Sequence, residues 1–434
     1  MTIASGVDKK VVVALQPAKG TAANANSPTA TYLRRTTSSL DLRKETYQSN
    51  EIRPDQQIAD FRHGVRSVDG SISCDLAPGS LAHLIPNILR KSWADGIATT
   101  KSDVTAALVS GGSGTFTTAA GNWLTDGYKV GDVVRWGGWA VATSLNSINM
   151  MITALTTTVM TCYILNYATT EEAFAPEAAG ASVTCTVTGQ KCWVPDSGQT
   201  KKYLTFEHHY SDLDLSELFT DCRVSQLVLR LPPTGMATTE SSIVGLNMTP
   251  KSGSTSPYFT SPAAASTGGS VAAVNGGLFV EGTQIALLTG LDITIGGDVT
   301  AADPVVGANT RPDLFPGRVS VTGNMTVYFE DATFRDYFLN ETEVSLCCAF
   351  TESNDDAADF VAVSIPRLKV GGSSKDDGEK GLIQTVPFQA LLYTTGGTGV
   401  KHHKTTISIQ DSMADDFVAT TTTTTTSSTT TTTA

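Results

Sequence analysis

One phrase of strict alternation occurs twice in this chain, at a separation of 253 residues. In VDGSISCDL, Val68, Gly70, Ile72, Cys74 and Leu76 fall on one face, while Asp69, Ser71, Ser73 and Asp75 fall on the other. In VTGNMTVYF, Val321, Gly323, Met325, Val327 and Phe329 do the same. A side-chain period of two with one apolar face defines a half-buried β-strand. The apolar positions of both phrases are therefore expected in a core. The likeness runs on: Leu81, Leu84 and Ile85 recur at the same offset as Phe334, Tyr337 and Phe338, a spacing that places one apolar stripe on a short helix. Ser80 stands at the start of the first helix and Asp331 or Thr333 at the start of the second, as N-terminal caps, and Pro86 should kink or shorten the first.

Other landmarks keep the same order. Upstream of each strand, SSLDLR (38–43) resembles TGLDIT (289–294), and Arg-Pro-Asp stands at 53–55 and again at 311–313. Downstream, RVSQLVLRL (223–231) resembles AVSIPRLKV (362–370), which aligns Val224 with Val363. From Val68 to Val224 the chain runs 156 residues, yet from Val321 to Val363 only 42. The excess locates an insertion in the first copy. Its core, 100–194, holds short apolar runs broken by Gly and Asp-Gly turns, which read as a small β-barrel or sandwich.

The expected organisation is an N-terminal arm (1–30), a first copy in two pieces (31–99 and 195–250), the insert (100–194), a Ser/Gly/Ala/Pro-rich linker (251–276), a second copy (277–412) and a Thr-rich disordered tail (413–434). With 40% hydrophobic and 17% charged residues, 38 glycines and abundant Thr and Val, the fold class is mainly β: sandwiches or barrels with short flanking helices.

A formal net charge of −12 argues against a surface that grips nucleic acid through its phosphates, although not against one that DNA slides past. The seven cysteines lack a CxxC spacing and read as small core residues of a reduced protein. The apolar run near the N-terminus is too short for a signal peptide and no segment is long enough to span a membrane, so the chain is expected to be made and kept soluble in a cytoplasm.

Neighbours on a strand face opposite ways, so His208-His209 and His402-His403 read as surface or interface histidines and not as ligands of one ion. GGSGT (111–115) is a turn and not a phosphate loop, and Asp212, Asp214 and Glu217 read as an exposed acidic face. No nucleophile elbow, zinc signature or Cys/His arrangement can be nominated, so neither an enzyme nor a cofactor or metal is expected.

Three blocks carry a resemblance: EIRPDQQIADFRHGVRSVDGSISCDLAPGSL, the YKVGDVVRWGGW insert with its later ITALTTTVMTC, and GRVSVTGNMTVYF. In their order and length the chain resembles the major tail tube proteins of long, non-contractile bacteriophage (siphophage) tails. That resemblance implies a β-sandwich whose inner sheet joins those of neighbouring subunits around a lumen, with rings stacked into the conduit for genome delivery.

It further implies that the polar stretch 44–66 and its shorter counterpart 298–317 tie one ring to the next. Arg53, Pro54, Asp55 and Arg62 of the first loop, and Arg311, Pro312 and Asp313 of the second, are its candidate contact residues. Two copies per chain suggest a homotrimeric ring with pseudo-sixfold symmetry, the alternative being a hexamer of single-domain subunits. The insert would then decorate the outer wall. Partners implied are further copies of the chain, a tape-measure protein, and tail terminator and tail-tip proteins; DNA would cross the lumen without specific binding, and no membrane is engaged. The location implied is the virion tail, assembled in the bacterial host cytoplasm. A host-binding tail fibre or spike, also β-rich, is the rival reading.

Overall fold

The computed structural model describes residues 3–165, 176–377, 379 and 381–415. The Thr-rich tail, apart from 413–415, lies outside the described residues.

The first half runs β1 (Lys9–Gln16), β2 (Asp41–Gln48), β3 (Phe61–Asp75) and helix α1 (Leu84–Leu89), and after the insert β4 (Tyr203–Tyr210), β5 (Leu215–Leu231), β6 (Thr238–Gly245) and β7 (Asn247–Ser252). The second half runs β8 (Gly276–Val280), β9 (Leu288–Gly296), β10 (Ser320–Tyr328), α2 (Thr333–Leu339), β11 (Glu343–Thr351), β12 (Phe360–Val370), β13 (Ser374–Lys375), β14 (Ile383–Ala390) and β15 (Ser408–Asp411). Every pairing among these strands is antiparallel.

The ladders of the two halves follow one scheme. In the first, β2 pairs with β3, β3 with β6, β6 with β5, β5 with β4 and β4 with β1. In the second, β9 pairs with β10, β10 with β14, β14 with β12, β12 with β11 and β11 with β8. Each helix follows the same strand of its scheme. Each half is a sandwich, with an inner sheet (β2, β3, β6 and the end of β5; β9, β10, β14 and the end of β12) and an outer sheet (β1, β4, β7; β8, β11, β15). Two packed layers are the standard way to bury one apolar face of each sheet.

One long strand passes between the layers. The first part of β5 lies in the outer sheet between β4 and β7, and from Arg223 it runs in the inner sheet beside β6. The corner sits at Asp221, whose φ is +57°. Its carboxylate holds the bend by accepting hydrogen bonds from Gln16 Nε2 and the Gly20 N–H, both at 2.6 Å. On its far side β5 pairs with β9, from Gln226 opposite Gly296 to Leu231 opposite Leu291. The two inner sheets thereby form one continuous sheet within the chain.

The alternation places Val68, Ile72, Cys74 and Leu76, with Val321, Met325 and Val327, in one shared core, each no more than 6% exposed. Gly70 and Gly323 continue these faces. A Cβ on Gly70 would collide with the backbone of Ser39 and Leu40, and one on Gly323 with the Asp292 carbonyl and the Phe388 ring. Phe329 departs from expectation. It lies one residue past the end of β10, half-buried, with the Lys375 ammonium 3.5 Å from its ring centroid in place of core neighbours.

The helical stripe holds in α1, where Leu84 and Ile85 are buried together with the preceding Leu81. In α2, Phe334 is buried and Tyr337 packs against the core, but Phe338 is 42% exposed. Asp331 accepts a hydrogen bond from the Thr333 N–H at 2.8 Å, whereas Ser80 bonds back to Ala77 and caps nothing.

The insert is a seven-stranded sheet bounded by Ala98–Lys101 and Val183–Val187 in sequence. Its core gathers Phe116, Trp123, Tyr128, Trp136 and Trp139, with Phe116 stacked on Trp136 at 4.3 Å between ring centroids. The same cluster includes Phe279, Cys347, Ala349, Phe360 and Ala362 from β8, β11 and β12. The insert thus caps the outer sheet of the second half. The corresponding face of the first half, Val12, Ala14 and Leu218, is covered by Ala23 and Ala30 of the N-terminal segment and by Phe259 of the segment joining the halves. That segment is tied down: the Tyr258 and Phe259 N–H groups donate to Glu207 at 2.6 and 3.0 Å.

All seven cysteines are buried as small core residues, and none forms a disulfide. The histidine pairs are interior, contrary to a surface reading. His208 is fully buried and meets Ser38 Oγ at 2.9 Å, His209 faces Ser216 and Ser256, His402 is 3% exposed, and His403 stacks on Trp193 at 4.2 Å between ring centroids. On β4 the opposite-facing His208 and His209 each meet a packed layer, because both sides of that outer sheet are covered, whereas His402 and His403 are enclosed in an irregular segment before β15.

Candidate assembly surfaces

Alternation that sends Val68 and Ile72 into the core sends their neighbours onto the opposite face of the inner sheet. Across the first half this face carries Asp41 and Arg43 of β2, Asp69, Ser71, Ser73 and Asp75 of β3, Glu240 and Ser242 of β6, and Arg230 of β5. Beyond the β5–β9 joint follow Asp292 and Thr294, then Thr322, Asn324 and Thr326, then Thr385 and Gln389. None of these side chains is buried.

The two arginines named here are neutralised locally, and Lys369 of β12, which faces Gln389, lies 3.2 Å from Glu341 Oε2. Arg43 Nε lies 2.7 Å from Asp69 Oδ1 and Arg230 Nη1 lies 3.1 Å from Glu240 Oε2. Among the described residues Asp41, Asp75 and Asp292 make no ion pair on this face. The outcome is a continuous polar surface of hydroxyls, amides and carboxylates whose cations are already engaged. Such a surface offers a polyanion no free guanidinium to bind.

The β2–β3 hairpin closes its last pair at Gln48 and Phe61 and projects a loop, 49–60, exposed from residue 50 onward. Arg53 to Gln56 form a tight turn, Gln56 N–H to Arg53 O at 3.1 Å, with Pro54 at the position whose φ it presets. Within the loop Arg53 Nε meets Asp55 Oδ1 at 3.2 Å, and Arg62 Nε meets Asp60 Oδ2 at 2.8 Å. The Arg62 hydrogen bond holds the Asp60 carboxyl below the usual carboxylate range. Ile52 and Ile58 project into solvent, 101% and 66% exposed.

The second Arg-Pro-Asp behaves differently. Arg311 donates to the Ala302 carbonyl at 3.0 Å and reaches Glu45 of β2 at 3.1 Å, and Asp313 accepts from the Tyr203 hydroxyl and from the Leu314 N–H. Pro312 lies between these anchored residues. Segment 298–317 is therefore fastened to the base of the first hairpin, a bond strengthened by Arg66, which donates to Asn247 Oδ1 at 2.9 Å and Asn309 Oδ1 at 3.1 Å. Val305 and Val306 at its tip stay exposed, 49% and 107%. The two Arg-Pro-Asp triplets thus lie in segments joined at the base of one hairpin, yet their contacts are not equivalent. Glu45 and Arg66, which make the connection, have no local pattern that would have marked them.

Among the described residues no group of histidine, cysteine and carboxylate side chains is placed to hold a metal ion, and no helix is long and apolar enough to cross a membrane. Comparison with curated proteins brings up no match. A family model described as phage tail tube protein matches residues 6–390, nearly the whole chain and every strand of both sandwiches except β15. The chain belongs to the phage tail tube protein family, and is a structural component of a virion tail.

Proposed function

We propose that three copies of this chain close a ring, that rings stack into the tube of a siphophage tail, and that the tube conducts the genome into the host. The observation that carries this reading is the doubled ladder: two sandwiches of one scheme, with their inner sheets already joined side by side at β5 and β9. Each chain then supplies two neighbouring segments of a wall, and three chains supply a pseudo-sixfold one. Closure removes the unpaired sheet edges that would otherwise pair indiscriminately.

The polar face lines the lumen. Its neutralised arginines and free carboxylates keep the phosphate backbone from adhering during transit. Loops 49–60 and 298–317 reach the next ring, docking Ile52, Ile58, Val305 and Val306 and using Arg53, Asp55 and Arg62 for charged contacts at the rim. The insert stands on the outer wall at three positions per ring. A tape-measure protein occupies the lumen before ejection, terminator and tail-tip proteins cap the ends, and assembly takes place in the host cytoplasm.

End-on averaging of assembled tubes by electron microscopy tests the reading. Three outer projections around a sixfold-like wall are expected. Six equivalent projections would refute the trimer, and an unassembled or fibre-like particle under all conditions would refute the tube.

A further inference from the structure

The joint inside the chain has an empty counterpart at its end. In the first half, β4 stops pairing with β5 where Leu204 faces Cys222, and beyond that point β9 takes the vacated side of β5 from Gln226 to Leu231. In the second half, β11 stops pairing with β12 where Glu343 faces Lys369. The chain then runs on beside β14: the Gly371 N–H donates to the Pro387 carbonyl at 2.7 Å, Ser374 faces Thr385 and Lys375 faces Gln384. Among the described residues no strand lies on the other side of 371–377.

The opposite end of the inner sheet is open as well. Strand β2 pairs with β3 alone among the described residues. Its Leu42 N–H is turned away from β3 and is held by the Asp41 carboxylate at 2.7 Å, a local stand-in for an absent partner. A row of unpaired backbone groups is a template for another strand.

We infer that residues 371–377 of one chain pair antiparallel with β2 of a second copy, in the register that β5 and β9 use within the chain. This rests on the ring reading given above. The register follows from the ladders. Across the first half, Cys74 faces Thr239, Thr239 faces Leu229 and Leu229 faces Ile293. Across the second, Val327, at the place of Cys74, faces Gln384, and Gln384 faces Lys375. Lys375 thus holds the place of Leu229.

On the other edge, Leu42 faces Val68 as Ile295 faces Val321, so Leu40 holds the place of Ile293. Lys375 of one copy therefore lies opposite Leu40 of the next, Ser374 opposite Asp41 and Gly372 opposite Arg43. The faces agree: Leu40 is buried in the core, and the Lys375 stem turns the same way, toward Phe329. Asp41 and Ser374 both lie exposed on the polar side. The interface is head-to-tail, the kind of contact whose repetition closes a ring when its rotation divides a full turn.

Cysteine pairing tests the register, because every native cysteine is buried. In assembled Asp41→Cys/Ser374→Cys protein, mild oxidation should link most subunits, giving a ladder on a denaturing gel that ends at a closed species. Arg43→Cys/Ser374→Cys places the thiols two positions out of register, beyond disulfide reach, and should link at least about tenfold less. Tubes that form but link equally in both variants, or in neither, would overturn the inference while leaving the tube intact. Failure of the unmodified chain to assemble at all would overturn both.

Discussion

Asp132→Asn should loosen the insert from the body. Asp132 lies in the insert and Lys191 on the strand Gln190–Trp193 that leaves it, and the ammonium sits 3.0 and 2.9 Å from the two carboxylate oxygens. Both side chains are nearly closed to solvent, 6% and 7% exposed. Lys129 lies close by, its pKa lowered by burial and then by Lys191 itself. Removing the carboxylate charge leaves Lys191 buried beside a second cation. Breaking a buried pair by neutralising one partner costs about 3–5 kcal/mol, or roughly a 150- to 4,000-fold shift in the unfolding equilibrium. Urea unfolding followed by tryptophan fluorescence reads this directly, because Trp123, Trp136 and Trp139 are packed in the insert core. Asp132→Leu combined with Lys191→Met replaces the pair with apolar groups and should return stability to within about 1 kcal/mol of the parent. A single Asp132→Asn variant as stable as the parent would refute the reasoning.

Ile72 is 2% exposed on the core face of β3, and Ile72→Asp puts an unpaired charge there; the expected result is an insoluble or unfolded chain, and a soluble variant with native circular dichroism would show the face assignment to be wrong. Arg53→Glu, in an exposed loop, should leave thermal unfolding within about 0.5 kcal/mol of the parent and block stacking of rings seen by microscopy; normal tubes would remove Arg53 from the joint. Arg311→Glu should differ by also lowering stability, since it sets two carboxylates, its own and Glu45, where an ion pair stood; equal melting of the two variants would contradict this. Burial holds the imidazoles of His83 and His402 down to about 4 and that of His403 to about 2. A depressed folded-state pKa gives stability that is present above the unfolded value near 6.5 and lost as pH falls toward 4, about 3 kcal/mol for each of the first two groups. Asp411, pushed up to about 6 by burial, works in the opposite sense between roughly pH 4 and 6 and offsets only part of the loss. The urea midpoint should therefore drop between pH 7.5 and 5; a flat profile would refute the histidine argument.

The strand faces were legible in the sequence because period two is a local property, and Val68, Ile72, Met325 and Val327 needed no knowledge of their partners. Register was less legible. The likeness of SSLDLR to TGLDIT aligns Leu42 with Ile293, yet Leu42 faces Val68 as Ile295, two residues further on, faces Val321. A shift of two keeps every side chain on its face, so alternation alone cannot detect it. Phe329 shows a similar limit: its position has the right parity, but what covers its ring is Lys375 from another strand. The assembly loops show the limit most clearly. Arg53 closes on Asp55 two residues away, whereas Arg311 reaches Glu45 at a separation of 266, and only the fold decides between a local and a distant partner.

The position of the insert follows from what each sandwich leaves uncovered. An outer sheet whose two faces are both apolar cannot stand against water on one side. In the first half that side of β1, β4 and β5 mixes Val12, Ala14 and Leu218 with Thr205 and Glu207, and Ala23, Ala30 and Phe259 from short flanking segments close it. In the second half the same side presents Phe279, Cys347, Ala349, Phe360 and Ala362, and the cover is the insert, a folded unit that leaves the chain after α1 of the other half. The insert therefore does for one half what the N-terminal segment and the connecting segment do for the other. Its polar ties to the second half, Gln410 to both Val133 backbone groups and Arg135 to the Ala357 carbonyl, fix it at several points at once. A unit held by a shared apolar core and by the buried hydrogen bonds of Gln410 is a further layer of the second sandwich and not a separate appendage to it.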